Sequence, residues 1–173
     1  SERRPDAPPY AVRGPFAVGY RQLVSDAGTE HPLEVSLWYP ALNPTGTQEA
    51  IQYVAQLKDA TWSPDTSPVV YGRALRDAGF DESQGQGPYP LVIFSHSFSG
   101  SAAGHSVTAE HYASYGFIVL APEHAEQFDL AFGDLWKALI DRPRDVTRTL
   151  DYAEQLTAPD GDLAGLIDMG QVA

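Results

Sequence analysis

Leu91-Val92-Ile93-Phe94-Ser95-His96-Ser97-Phe98-Ser99-Gly100 is the stretch that decides the fold of this chain. Its first four residues are apolar with no polar face, which suits a central strand covered on both sides. A small-residue loop over 97–104 then leads to a helix expected from about His105 to Tyr115, with Gly116 where a C-cap is wanted. Phe117-Ile118-Val119-Leu120-Ala121 is a second apolar run, closed by Pro122. Strand, helix and strand make a βαβ unit, so a parallel sheet with a right-handed crossover is expected.

Upstream, Phe16 to Ser25 alternates as a strand, and Asp26-Ala27-Gly28-Thr29 supplies turn chemistry. Leu33 to Tyr39 alternates again, with Leu33, Val35, Leu37 and Tyr39 on one face, so an antiparallel hairpin is expected. Residues 1–15 are rich in Pro and charge and read as an extended arm over the surface. Residues 40–87 read as an insertion over the sheet, with short helices predicted near Ile51 to Asp59 and Val69 to Ala78.

Downstream, Pro143 is favoured at a first helical position, and Val146, Leu150, Ala153 and Leu156 recur at helical spacing. A helix starting near Asp141 or Arg142 is predicted. Leu163 to Gly165 suggests a turn or short helix, and Ile167 to Ala173 resembles the entry to a further strand. The fold class is α/β: a mostly parallel central sheet with an antiparallel N-terminal hairpin, flanked by helices. Residues 1–173 are expected to be the N-terminal portion of one such domain.

Composition narrows the function. The chain has 173 residues, 43% of them hydrophobic, enough for a real core. Its net charge is -12, and only Arg142, Arg144 and Arg148 cluster among the basic residues, which argues against a nucleic-acid or anionic-membrane partner. There is no cysteine, so no disulfide framework, thiolate nucleophile or cysteine zinc site is available. No apolar run approaches the roughly 18 to 20 residues that span a bilayer. A soluble protein is expected, its compartment open, with a lean to secreted or periplasmic.

The chemistry is expected at the carboxyl end of the Leu91 strand, where open α/β sheets gather their ligands. Small residues there let backbone N–H groups face a ligand, as an oxyanion hole requires, although a plain strand-to-helix loop is the bland alternative. A rival takes Ser97 as the nucleophile of an elbow with serines replacing both glycines. Glu110 or Glu123 would then be the acid and His111 or His124 the base, neither pairing suggesting a triad. His96, His105, His111 and His124 with Glu110, Glu123 and Glu126 lack the H-E-x-x-H spacing, so no metal is expected. His96 reads as a structural group hydrogen-bonded under the loop, and His124 as a strand-end residue near the site rim. Ser99, together with His96 and His124, is assigned to the substrate pocket. Phe128 and Phe132, four apart after Pro122, are the acyl-pocket candidates, and Trp38 is a core candidate.

Gly19-Tyr20-Arg21, Leu37-Trp38-Tyr39-Pro40, Pro88 to His96, Tyr115 to His124 and Arg144-Asp145-Val146 together resemble the dienelactone-hydrolase and platelet-activating-factor-acetylhydrolase branch of the α/β-hydrolases. The resemblance runs from about Phe16 to the end. It implies an F-S-H-G-x-x-G oxyanion segment at 94–100, with Phe98 as a backbone N–H donor. It also implies that the nucleophilic Ser, acid and His lie beyond residue 173, so the chain would stop just short of its nucleophile elbow. Ser97 departs from the family's Gly, which would cost of order 1 kcal/mol if that position needs positive φ. Its hydroxyl would then be free to reach a bound ester.

The expected function is serine-dependent carboxylic-ester hydrolysis without a cofactor. The partners are an ester substrate and the remaining C-terminal segment of the same domain. A catalytically silent module binding a ligand or partner through the same pocket is the alternative. Residues 1–173 alone, with a central strand edge open, are expected to be aggregation-prone or unfolded.

Overall fold

The computed structural model describes residues 6–55, 68–81, 88–98, 100–124 and 133–173. Six strands form one sheet in the order β5-β1-β2-β7-β6-β8. These are β1 (Ala17–Ser25), β2 (Leu33–Ala41), β5 (Leu75–Arg76), β6 (Tyr89–Ile93), β7 (Ile118–Pro122) and β8 (Ile167–Val172). β1 and β2 are the expected antiparallel hairpin, in register from Ala17 opposite Ala41 to Ser25 opposite Leu33. β2 also runs antiparallel to β7, whereas β6 lies parallel to β7 on one side and to β8 on the other. Helix α1 (Ser106–Ser114) crosses between β6 and β7, and Gly116, at φ 93°, ends it in a backbone state that a side chain would strain.

Alternation along β2 divides the core into two. Leu33, Val35, Leu37 and Tyr39 pack with Leu91, Ile118, Leu120 and with Ala153 and Leu156 of α2 (Gly133–Thr157). Trp38 faces the other way, to Val18, Tyr20, Val119 and Ala109 and Ala113 of α1. One helix therefore covers each face, and the apolar runs of β6 and β7 need no polar side because neither face meets water.

The two short helices predicted in 40–87 are strands. β3 (Ile51–Val54) and β4 (Val69–Gly72) pair antiparallel, with Ile51 opposite Gly72 and Val54 opposite Val69. The remainder of the first prediction, 56–59, lies outside the described residues. Ile51 and Tyr53 are buried against Trp38 while Gln52 and Val54 face outward, a period of two. Burying such a side chain stabilises by about 1.5–3 kcal/mol, more than the tenths separating helix and strand propensities here. Trp38 Nε1–H donates to Tyr53 Oη (2.9 Å), and Tyr53 donates to Glu110 Oε1 (2.8 Å) on α1. Arg73 N–H donates to the same carboxylate oxygen at 2.9 Å, so the hairpin is anchored to the helix by buried polar bonds. Burial raises the pKa of both Tyr53 and Glu110.

The predicted start of the long helix is also corrected. α2 begins at Gly133, and Pro143 lies inside it rather than at its first turn. Pro143 is exposed, so water can take the i−4 carbonyl bond that proline forgoes. The first ten residues carry no single apolar stripe, since Trp136, Leu139 and Ile140 are exposed and Ala138 is buried; periodicity could not find them. The arm, over its described residues 6–15, is tied to the end of α1. Tyr115 Oη donates to the Val12 carbonyl at 2.6 Å, with the Pro9 carbonyl 3.3 Å away, and Gly14 N–H donates to Ser114 Oγ.

Candidate active site

The carboxyl ends of β6 and β7 lie side by side, and they bring together Ser95, His96 and His124. His96, assigned to the substrate pocket, is 1% exposed and sits beneath its own loop. Its Nδ1 is 2.9 Å from the Ser97 carbonyl, and its Nε2 is 3.1 Å from the His124 N–H. A backbone N–H can only donate and a carbonyl only accept, so the imidazole carries its proton on Nδ1. Glu123 Oε1, at 3.6 Å from Nε2, pulls toward the other tautomer, but that contact is too long to outweigh two hydrogen bonds of normal length. The Ser97 carbonyl also accepts from Gly100 N–H at 2.9 Å. Among the described residues nothing accepts the N–H of Phe98, the other half of that peptide.

His124, expected at the rim, is instead buried at 3% exposure. Its Nδ1 is 2.9 Å from Asp145 Oδ2, and its Nε2 is 2.9 Å from Ser95 Oγ. The carboxylate fixes the proton on Nδ1, which leaves Nε2 to accept from the Ser95 hydroxyl. Arg142, one turn before Asp145 on α2, reaches Ser95 Oγ at 3.4 Å and donates to the His96 carbonyl in a short hydrogen bond. Arg148, one turn after, bonds Asp145 Oδ1 at 3.3 Å and Asp26 of the β1–β2 turn at 2.6 Å. Of these groups His124, Arg142, Asp145 and Arg148 line a cleft of about 920 Å³ together with Glu123 and Lys137, whereas Ser95, His96 and Phe98 are not among its lining residues.

The rival arrangement around Ser97 is not assembled. The histidine nearest its hydroxyl is His105, at 3.5 Å, and Glu110 is turned into the hairpin contact with Tyr53. His111 meets the Tyr115 ring at a tilt of 58°, and His124 faces Asp145 and Ser95. Ser97 is not among the described non-glycine residues with positive φ, which are Asp26 and Asp77, so the strain foreseen for serine there does not arise. Its side chain constrains Gly100 instead, where a Cβ would stand 2.6 Å from Ser97 Oγ. Ser99, Phe128 and Phe132 lie outside the described residues.

Ser95 and the α2 pair Arg142 and Asp145 were not among the sequence candidates. The available signal was a polar strip at i, i+3 and i+7, formed by Arg142, Asp145 and Thr149. Thr149 is fully buried and donates to the Asp145 carbonyl at 2.8 Å, so the strip turns inward.

The sheet order, with its antiparallel hairpin beside parallel strands and a helix on each face, defines an α/β-hydrolase fold. A solved structure supports this: the ferulic acid esterase from Streptomyces cinnamoneus is 24% identical, with a TM-score of 0.60. The match covers 97% of this chain and 53% of that one, so the chain spans about half the esterase's length. The family model of platelet-activating factor acetylhydrolase, isoform II, matches residues 5–132, and the chain belongs to that family. No curated protein matches it in sequence.

Proposed function

We propose that these residues build part of the active site of a serine-dependent carboxylic-ester hydrolase, with Phe98 N–H as an oxyanion-hole donor. The observation that carries this is the Ser97–Phe98 peptide. Its carbonyl is held inward by His96 and Gly100, and its N–H has no acceptor among the described residues. Because a trans peptide points its C=O and N–H in opposite directions, a carbonyl anchored inward presents the N–H outward. An amide fixed in this way needs no reorganisation when charge appears on a substrate oxygen. Membership of an acetylhydrolase family and likeness to an esterase support an ester as the substrate class.

In this reaction a serine Oγ attacks the ester carbonyl while a histidine takes its proton. The tetrahedral oxyanion accepts from Phe98 N–H and a second amide. Collapse expels the alcohol, which receives the proton from the histidine, and water then releases the acid from the acyl-enzyme by the same steps. The proposal assigns the nucleophile, the acid and the catalytic histidine to residues outside these 173. Ser97 and Ser99 flank the donor, and Phe128 and Phe132 contribute to the acyl pocket.

The test is labelling of the intact protein with a fluorophosphonate, followed by peptide mass spectrometry. A single labelled serine outside residues 1–173 is the expected result. Labelling of Ser97 would move the nucleophile into this chain, and no labelling at all would make the fold a silent binding module.

A further inference from the structure

We propose that Asp145 is a positioning residue for the oxyanion loop, acting through His124 and His96 on the Ser97–Phe98 peptide. The inference rests on the ester-hydrolase proposal and extends it to helix α2, which supplies no residue of the loop but bonds to it. Its basis is a continuous set of hydrogen bonds. Asp145 Oδ2 accepts from His124 Nδ1 (2.9 Å), and Ser95 Oγ donates to His124 Nε2 (2.9 Å). The His124 ring is thereby pinned at both nitrogens, just beyond the last residue of β7. The His124 backbone N–H then donates to His96 Nε2 (3.1 Å), which forces the His96 proton onto Nδ1 and so onto the Ser97 carbonyl (2.9 Å). The peptide carrying Phe98 N–H is oriented by that last bond.

Arg142 makes the arrangement two-handed. From the turn of α2 preceding Asp145 it donates to the His96 carbonyl, so one helix grips the loop at its backbone and, through His124, at its imidazole. Every bond in the path has a defined donor, and side-chain groups that orient a ligand's partner are the usual way a site is held to sub-ångström tolerance.

A Ser–His–Asp set with both contacts at 2.9 Å also has the form of a catalytic triad, and Ser95 is exposed. The bonds run as they would in a triad, but the surroundings of Ser95 favour positioning. Ser95 sits at the end of an extended strand, not on a strained turn, and Arg142 already occupies its oxygen from the other side.

The experiment uses the intact protein with p-nitrophenyl butyrate, comparing wild type with D145A and D145N. D145A is expected to lower kcat by about tenfold to hundredfold, less than the roughly 10²–10³ lost when an oxyanion donor is removed outright. KM should stay within about twofold, since ground-state binding is untouched. D145N, whose Oδ1 still accepts from Nδ1, should fall between. A trifluoromethyl ketone, which forms the tetrahedral adduct, should lose affinity in D145A by the same factor as kcat/KM, while the unreactive alcohol analogue binds as before. Equal losses for both analogues, or unchanged kcat in both variants, would overturn the proposal. So would fluorophosphonate labelling of Ser95. Labelling of wild type at another serine keeps the hydrolase proposal standing whatever the variants do; no labelling defeats both.

Discussion

Glu110 shows how a single buried carboxylate trades polar bonds against desolvation. Burial raises its pKa above 4.5, and the Tyr53 and Arg73 donors and the Arg13 charge offset this only in part. The folded state therefore binds a proton that the unfolded state releases first. That contribution to stability is full below the unfolded pKa and is lost as pH rises through the higher folded value. E110Q keeps an acceptor oxygen for both donors and removes the charge. Calorimetry from pH 4.5 to neutrality should show wild-type Tm falling relative to E110Q, and parallel profiles would show that the carboxyl is fully compensated. At the candidate site the decisive residues were only half legible. His96 stood out because a fully apolar strand ends just before it, and Phe98 only through the resemblance to the family's oxyanion segment. Ser95, Arg142 and Asp145 did not, because their significance is a meeting of three elements separated by up to 50 positions in sequence.

The β3–β4 hairpin makes the corresponding case for elements. It is locked where Gly72 passes α1: a Cβ there would stand 2.1 Å from Glu110 Oε1 and 2.4 Å from the Tyr53 ring. G72A is expected to destabilise the fold by about 1–3 kcal/mol through overpacking, read as a lower denaturation midpoint with the same slope. An unchanged midpoint would mean that the hairpin shifts on α1 at no cost. Four-residue strands hold too few periods for pattern alone to separate them from helical turns. Ile51 and Tyr53 became the buried pair because Trp38 waits beneath them. α2 shows the converse failure, since a proline that marks a helix start by statistics is tolerated inside one when its face is exposed.

For the molecule as a whole, the two edges of the sheet differ. β5 is two residues long and ends in Arg76, a short charged edge of the kind that resists further pairing. β8 is six residues long, pairs among the described residues only with β6, and exposes Gly170, Gln171 and Val172. Residues 1–173 expressed alone should therefore associate as concentration rises, seen as growing species in size-exclusion chromatography with light scattering. A monodisperse monomer throughout would show that this edge is inert.

The sequence by itself determined the elements whose environment is written in their own residues. The β1–β2 alternation, the apolar runs of β6 and β7, the crossover helix with its Gly116 cap and the entry to β8 all carry their environment in their own pattern. A hydrophobic period reports directly which face meets water. Tertiary structure alone decided the hairpin over α1, the true start of α2 and the path from Asp145 to the Phe98 amide. Each of these depends on a polar or marginally apolar group whose free energy is set by a distant partner: Trp38 for the hairpin, and for Asp145 a histidine just beyond the end of β7. Hydrogen bonds between remote residues leave no period in a chain, and only packing reveals them.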